Sequence, residues 1–495
     1  MILSKEQAIL KAEKEFQNML EMIKQATANG VMIHEVEGDL WERLLKIGRL
    51  TLQGYVGSQG TGDLGPTMDY EGRELHRLEG LFDRRYVSIF GELLIPRTVY
   101  GTRLTQKFEV IPLDGRLGLP QSDFSYVLQG WDQSLCVQNS YDESRHTIQR
   151  ILGLGQTIGS LEQMNRSMAE DVEGFHDSQP VPSPDQEDSI LLLTADGKGI
   201  PMRRDLQQDG PSLRGRLTKG QKAGKKREAC VGGVYTVEPF VRTAKEVVDE
   251  VLRKKRKIKR PVPKNKQLRA ALTQTVDGKE IKGKERIFSW FSEQIAARNQ
   301  DGAKPVVCVM DGDRSLWKML TRFVVGVVCI LDIYHAMERL WDAAYCFFPE
   351  GSEEAKDFVA ERLERILEGK VGYVIGGLKQ MGTKGNLSKR RRAQLSKVIV
   401  YLENNRKFMK YDEYLEKGYP IGSGVVEGAC RHLVKDRMEG TGMRWRVVGA
   451  QSMLNLRAVF LNDEWDFFQK YRIEINCRKL YPYREIIESL WSKAA

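Results

Sequence analysis

The sequence lacks the features of secreted, disulfide-linked and membrane-spanning proteins. Its 495 residues include only seven cysteines, which are scattered and form no Cys-x-x-Cys pair, so no disulfide framework is expected. The first residues are charged throughout and contain no apolar stretch like that of a signal peptide. The longest apolar runs, such as Val324–Leu331, are far shorter than the roughly 20 residues that a membrane helix needs. We therefore expect a soluble cytoplasmic protein with no membrane partner.

The chain has a surplus of positive charge, with 77 Lys and Arg residues against 67 Asp and Glu residues. The net charge of +10 suits a polyanionic partner, because each phosphate that Lys or Arg neutralises releases counterions. A basic enzyme of the cytosol would show the same balance. The length predicts three or four domains.

The first third of the chain is expected to be mainly helical. Residues 1–53 carry apolar side chains at helical spacing and predict an N-terminal helical segment. Residues 54–178 combine a glycine-rich stretch, a hairpin-like alternation around Gly91 and two helical runs, Ser140–Ile151 and Gly159–Phe175. We interpret this second region as DNA-binding.

The two helical runs have the outline of a helix-turn-helix, in which the second helix reads DNA. Ser140 and Glu143 fit a capping box at the start of the first helix. Gln163, Asn165 and Arg166 are expected to be exposed on the second helix, with Gln163 and Arg166 as candidate DNA contacts. Any helical hairpin with a polar second helix would show the same pattern.

A Pro- and acid-rich stretch, Gln179–Asp188, marks the main boundary, after which strands and helices alternate. Residues 186–348 predict the first part of an α/β core. Residues 349–417 predict a charged helical insertion, residues 418–460 the second part of the core, and residues 461–495 a C-terminal helical tail.

Three apolar strands of this core each end in an acid: Asp196, Asp311 and Asp332. Functional sites gather where buried strands end, and converging carboxylates repel one another unless a divalent cation binds them. Oxygen ligands select Mg²⁺ or Mn²⁺, and two such ions about 3.5–4 Å apart serve phosphodiester chemistry. A single Asp at a strand end is more often a turn former, but three beside basic segments favour a two-metal site.

Four segments together resemble transposases of bacterial insertion sequences, and in particular the Kra-type insertion-sequence family, which is allied to the Mutator-like DDE transposases. These segments are TADGKGIPMRR at 194–204, VMDGDRSLW at 309–317, LDIYHAMERLW at 331–341 and IGSGVVEGACRHLVKDRMEGTGMRW at 421–445. The resemblance covers roughly residues 185–460. It implies an RNase H-like catalytic core, a mixed sheet flanked by helices with a helical insertion before a late Glu helix.

The resemblance assigns Asp196, Asp311 and Glu427 as the catalytic carboxylates, which would hold two Mg²⁺ or Mn²⁺ ions. Asp332 and His335 match the family's Cys/Asp-x-x-His signature and are further candidate catalytic residues. Relatives often carry paired cysteines near the N-terminus that suggest a zinc module. None is present here, so zinc-assisted DNA binding is not expected.

The residues themselves leave two alternatives open. Asp311, Asp313 and Asp332 are all possible second carboxylates, because alternation along a strand places Asp311 and Asp313 on one face. Glu427 would also fit an i,i+4 ion pair with Arg431 on a solvated helix.

Basic tracts at Arg216–Arg227, Arg253–Lys266 and Lys389–Arg392 are expected to follow DNA phosphates, although such runs are commonly solvated loops. Trp445 is expected to be a core residue, with base stacking as the alternative. The predicted DNA-contacting residues are Gln163, Arg166, Arg253, Lys254, Lys255, Arg256, Lys257, Arg431 and Lys435.

The activity that the resemblance implies is metal-dependent strand cleavage at transposon ends and transfer of the 3′-OH into target DNA. An RNase H-like nuclease or resolvase without strand joining, and a catalytically dead domesticated DNA-binding protein, are the alternatives. We expect a homodimer or larger assembly on DNA, associated with a bacterial nucleoid.

Overall fold

The computed structural model describes residues 5–102, 108–203, 226–252, 259–276 and 278–494. The chain's internal contacts divide it into two units, Met1–His176 with Glu464–Ala495, and Asp177–Asp463. The predicted DNA contacts at 253–257 and most of the tract at 216–227 lie outside the described residues. Within the described ranges, no helix combines the length and apolar character that crossing a bilayer requires.

The first unit begins with a helical hairpin, α1 (Lys5–Asn29) and α2 (Ile33–Ser58), as the apolar spacing predicts. Small buried side chains allow the two helices to approach closely, since a Cβ at Gly54 would lie 2.9 Å from Ile9. Glu15 of α1 is buried and accepts hydrogen bonds from two residues of α2, Arg43 at 2.9 Å and Lys46 at 2.7 Å. These ion pairs offset the desolvation of the carboxylate.

Short strands follow the hairpin. They are β1 (Thr67–Tyr70), β2 (Arg73–Arg77), β3 (Phe82–Ser88), β4 (Gly91–Arg97), β5 (Tyr100–Gly101) and β6 (Phe108–Val110). β1, β2, β5 and β6 form an antiparallel sheet in that order, and β3 pairs with β4 as the hairpin predicted around Gly91. Gly91 adopts a φ of 125°, which side-chain-bearing residues rarely do.

The helices of this unit are α3 (Pro112–Leu117), α4 (Tyr126–Cys136), α5 (Tyr141–Leu152), α6 (Ile158–Ala169) and α7 (Val172–Ser178). The capping box of Ser140 and Glu143 is confirmed at the start of α5. The run expected as one helix over Gly159–Phe175 is instead interrupted between α6 and α7. The prediction that Asn165 is exposed is wrong, because it is fully buried and donates to Gln133 at 2.9 Å.

The second unit is built on a five-stranded mixed sheet in the order β13-β12-β7-β8-β9. Its strands are β7 (Ile190–Pro201), β8 (Lys226–Val237), β9 (Lys264–Leu272), β12 (Val306–Met310) and β13 (Val328–Leu331); β10 (Gln274–Val276) and β11 (Lys279–Ile281) form a separate hairpin. β12 runs parallel to β7 and β13, whereas β8 is antiparallel to β7 and β9. The central strands read as continuous apolar runs because both faces are buried.

Helices cover both faces of this sheet. They are α8 (Ala244–Val251), α9 (Gly283–Arg298), α10 (Arg314–Phe323), α11 (Ile333–Ala344), α12 (Glu353–Leu367), α13 (Val371–Lys384), α14 (Lys389–Asn405), α15 (Tyr411–Glu416), α16 (Gly424–Ala429), α17 (Asp436–Met438) and α18 (Val447–Leu461). Leu191 and Leu193 of β7 share a core with α9 and α10, whereas Ile190 and Leu192 share one with α11 to α15. The segment expected as a helical insertion is therefore helical and continuous with the core.

The last helices, α19 (Trp465–Leu480) and α20 (Arg484–Ala494), belong to the first unit. Tyr481, Tyr483 and Ile487 share a small apolar core with Met68 of β1 and Leu75 of β2. The C-terminal segment thus packs on the sheet of the N-terminal part of the chain.

We predict that Asp132 makes the stability of the first unit pH-dependent. Burial raises its pKa from 3.8 to about 7, with one opposing hydrogen bond from Gln156 at 2.8 Å. Because the folded pKa exceeds the unfolded one, stability should fall as pH rises between these values, by up to ~1.4 kcal/mol per pH unit. Asp132→Asn should flatten that slope and stabilise the unit at pH 8, measured by urea unfolding at pH 5 and 8.

The Gln156 carbonyl oxygen has no hydrogen-bond partner among the described residues, so an amide at position 132 would have an acceptor available. Asp132→Ala is the control for packing, because it also removes the titration but leaves a cavity, so it should show the same flat slope and be less stable than Asp132→Asn at both pH values. An unchanged pH slope in Asp132→Asn would contradict the prediction.

Candidate metal site at the strand ends

Three acids lie at one level of the sheet, where β12 and β13 end. Met310 of β12 pairs with Ala195 of β7 and with Leu331 of β13, so Asp196, Asp311 and Asp332 follow at the same level. The prediction that Asp196 ends its strand is wrong, because β7 continues to Pro201 in antiparallel pairing with β8. The Asp332 backbone N–H donates to the Met310 carbonyl at 2.9 Å, which fixes the outer acid next to its neighbour. Adjacent strands are about 4.8 Å apart, so the carboxylates share one region of the edge.

Asp196 is half-buried on β7, and one of its oxygens accepts the Gly197 N–H at 2.6 Å. The thiol of Cys430 lies close enough to this carboxylate to feel its charge. Burial, together with the charge of Asp196, raises the pKa of the Cys430 thiol, which therefore remains neutral.

Asp311 and Asp313 have different surroundings although only one residue separates them. Burial raises the pKa of Asp311, and the charge of Asp196 raises it further. Asp313 caps α10 by accepting the Ser315 N–H at 2.7 Å and forms an ion pair with Lys284 at 3.3 Å. Burial opposes ionisation of Asp313, but Ser315 and Lys284 together outweigh the effect of burial and lower the pKa of Asp313. Asp313 is therefore engaged in local structure, whereas Asp311 faces the other acids.

Asp332 is fully buried and both of its oxygens accept hydrogen bonds. Oδ1 accepts the Tyr334 N–H at 2.8 Å and so caps α11, while Oδ2 accepts the Ser423 N–H at 3.1 Å and the Ser423 hydroxyl. Burial raises the pKa of Asp332, and these hydrogen bonds oppose the rise. The carboxylate thereby holds the turn Gly422–Gly424 that precedes α16.

Glu427 and His335 complete the group. Ligand atoms of Asp332, His335 and Glu427 all lie within 4.8 Å of one another. Burial raises the pKa of Glu427, and the charges of Asp332 and Asp196 raise it further, so Glu427 faces both ends of the row of acids. The alternative pairing of Glu427 with Arg431 is not observed, since Arg431 lies 3.7 Å from Asp436. Oxygen donors with one imidazole suit Mg²⁺ or Mn²⁺.

The segment after α16 is a π-helix, Cys430–Lys435, a form that is rare and frequent at functional sites. Arg457 of α18 donates to the carbonyls of Leu433, at 3.0 Å, and His432. These bonds satisfy carbonyls that the irregular helix leaves free. The predicted DNA contacts Arg431 and Lys435 are both exposed here.

Tyr401 is a site residue that the sequence did not reveal. It comes from α14, in the helical insertion, and burial raises its pKa to about 12, with the charge of Asp311 contributing. Its ring packs against the backbone of Gly312, where a Cβ would lie 2.5 Å from the ring. No spacing rule could connect residues so far apart along the chain. Ser423 and Cys430 were missed for the same reason.

The remaining candidates fall outside this site. Gln163 and Arg166 both lie on α6 in the first unit. Gln163 is exposed, and the Arg166 guanidinium donates to the side-chain Oε1 of Gln163 at 3.3 Å. Trp445 is buried and its indole N–H donates to Met438 at 3.0 Å, as expected for a core residue.

No protein-family model matches the chain, and no curated protein matches it. Among solved structures, the Drosophila P element transposase strand transfer complex aligns with a TM-score of 0.24 and 10% sequence identity, over 71% of this chain and 81% of that chain. An alignment with so low a TM-score does not establish a shared fold.

We predict that Asp311 contributes to divalent cation binding and that Asp313 does not. Asp311→Asn should raise the melting temperature without metal, because it relieves like-charge repulsion, and should reduce the rise that about 5 mM MnCl₂ produces. Asp313→Asn is the matched control. It should lower the melting temperature slightly by loss of the Lys284 ion pair, because the Asn amide oxygen can still cap α10, and it should retain the Mn²⁺ response. The opposite pattern would assign the ligand to Asp313.

Proposed function

We propose that this protein is a DDE-type DNA transposase with two-metal-ion chemistry. Three observations support the proposal: Asp196 and Asp311 follow in register on neighbouring strands, the charge of Asp196 acts on both Asp311 and Glu427, and ligand atoms of Asp332, His335 and Glu427 lie within 4.8 Å of one another. Three carboxylates held together in partial burial are unfavourable without cations. The mixed sheet with helices on both faces supports the RNase H-like core that the sequence resemblance implies.

In this proposal, Asp196, Asp311 and Glu427 hold two Mg²⁺ or Mn²⁺ ions. When bound, the ions make an attacking oxygen more nucleophilic and neutralise charge on the scissile phosphate. Asp332 positions Glu427 through the Ser423 turn, and His335 adds a nitrogen ligand or proton carrier beside the phosphate.

The reaction has two steps at one site. Water attacks the phosphodiester at the element end and the 3′-OH leaves; that 3′-OH then attacks a phosphodiester of target DNA in line. Neither step forms a covalent bond between protein and DNA. The row of acids would align both nucleophiles, first the water and then the 3′-OH, with a phosphate bound at the same position. Cleavage and joining therefore need only one active site.

DNA is the proposed partner, held by basic segments and by Gln163 and Arg166 of α6. Lys389–Arg392 are exposed at the start of α14, where their charges are accessible to phosphate. We further propose a homodimer or larger assembly, because two element ends must be joined to one target.

Alanine at Asp196, Asp311 or Glu427 should each reduce strand cleavage by more than about 100-fold, because changes to residues that merely orient metal ligands already cost about 10–100-fold. DNA binding should be retained. The assay uses a labelled duplex from the DNA flanking the gene, with Mg²⁺, and scores cleavage and joining separately. Asp313→Ala is the control and should cleave.

Full cleavage by any of the three variants would remove that residue from the site. Cleavage without any joined product would instead identify a nuclease or resolvase, and wild-type protein that binds DNA without Mg²⁺-dependent cleavage would identify a dead DNA-binding protein.

Neutralising Arg253–Lys259 should weaken DNA binding and flatten its salt dependence, by about 0.9 in the slope of log K against log salt for each phosphate that the protein no longer neutralises. Binding is measured at several salt concentrations. Neutralising Lys356 and Lys370, which pair with Glu353 at 2.5 Å and Glu368 at 2.8 Å, is the control and should leave the slope unchanged. An unchanged slope in the first variant would show that the tract is a solvated loop.

A further inference from the structure

A cavity of about 280 Å³ opens in the second unit next to the strand-end acids. One wall is the turn Gly422–Gly424, and the others include Phe240, Tyr419 and the side chains of Arg242 and Arg260. Its volume is near the lower end of the ~300–1,000 Å³ that small-molecule pockets occupy, which suits a ligand of one or two rings.

The cavity and the metal site lie on opposite sides of the same turn. Ser423, at its centre, hydrogen-bonds to Asp332, whereas its glycine neighbours line the cavity. A Cβ at Gly422 would lie 3.0 Å from Tyr334 and 3.9 Å from Asp332 Oδ1. Only the Gly422–Gly424 turn would therefore separate a group in this cavity from Asp332. Asp332 belongs to the row of acids that we propose to act on DNA.

Two arginines, Arg242 and Arg260, line the cavity together with one acid, Glu238, which accepts a hydrogen bond from Ser189 at 2.8 Å. Arg242 is 9% exposed, its Nη1 lies 3.4 Å from Glu250, and its Nε has no hydrogen-bond partner among the described residues. Arg260 pairs with the same carboxylate at 2.7 Å. Two arginines thus share one glutamate, and a buried cation with an unsatisfied N–H is costly unless an anion or acceptor joins it.

Most of the other lining residues are apolar or aromatic, and they include Phe240 and Tyr419. The Arg242 guanidinium lies 5.1 Å over the ring of Phe240, and the Phe240 N–H donates to the Gly418 carbonyl at 2.8 Å, which holds the Phe240 backbone against the segment that carries Tyr419. Aromatic rings next to arginine are surfaces on which unpaired nucleobases stack. An anionic group with a planar ring would use both features together.

We propose that this cavity receives one unpaired nucleotide of the DNA strand that is bound at the acids, with its base against Phe240 and Tyr419 and its phosphate near Arg242 and Arg260. The proposal rests on the proposed function. Gly422 lines the cavity, and a Cβ on it would lie within 4 Å of Asp332, so a strand bound at the acids would pass beside this cavity.

The test is a calorimetric titration of the full-length protein with dTMP and dAMP in EDTA, so that no cation can bind the nucleotide at the acids. Deoxyribose 5-phosphate is the probe for phosphate alone. We expect both nucleotides to bind at least tenfold more tightly than deoxyribose 5-phosphate. Arg242→Gln should weaken nucleotide binding tenfold or more. Arg322→Gln, which changes an exposed arginine elsewhere in this unit, is the matched control and should bind as the wild type does.

If Arg242→Gln fails to fold, Phe240→Leu supplies the second variant and should reduce nucleotide affinity to that of the sugar phosphate. A short single-stranded oligonucleotide should displace the nucleotide from wild-type protein. Equal affinity for nucleotides and sugar phosphate, unchanged affinity in the folded variants, or no displacement by the oligonucleotide would each overturn the proposal. Cleavage by Asp311→Ala would overturn the proposed function instead, and nucleotide binding by that variant distinguishes the two failures.

Discussion

The structure depends on the register of three parallel strands, which places three carboxylates at one level of a buried sheet edge. Like charges held at this spacing repel one another, and burial adds to the cost of ionisation. The protein reduces that cost locally at Asp332, which accepts three hydrogen bonds, and at Asp196, which faces a thiol. It does not do so at Asp311, whose second oxygen accepts no hydrogen bond from the described residues. A divalent cation is the natural counterion for what remains.

Asp311 and Asp332 could be predicted as strand-end acids because they obey a local rule, whereas Asp196 lies within β7. A strand buried on both faces is a continuous apolar run, and an acid directly after it is conspicuous in the sequence. The choice between Asp311 and Asp313 was not available from the sequence, because alternation gives both the same face. It is the packing of Lys284 and the start of α10 that separates them, and both contacts depend on the tertiary fold.

Predictions that needed tertiary contacts failed or were absent. The sequence suggests that Asn165 is an exposed polar residue of a second helix. In the structure it is buried and hydrogen-bonded to Gln133 of α4, which is also buried. No glycine or proline lies between α6 and α7, so the sequence contains no signal that predicts this break. The C-terminal helices read as a tail, and only a shared core with Met68 and Leu75 shows that they complete the first unit.

The helical segment at residues 349–417 contacts the five-stranded sheet through several tyrosines. Tyr411 donates to the Leu331 carbonyl at 2.7 Å and Tyr414 to the Cys329 carbonyl at 3.1 Å, so both hold the β13 strand that carries Asp332. Tyr401 fills the space that Gly312 leaves beside Asp311. Because well-packed cores transmit small displacements, a shift of the insertion would move two of the acids. Under the proposed function, DNA held at the basic start of α14 would therefore have a direct physical route to the geometry of the acids.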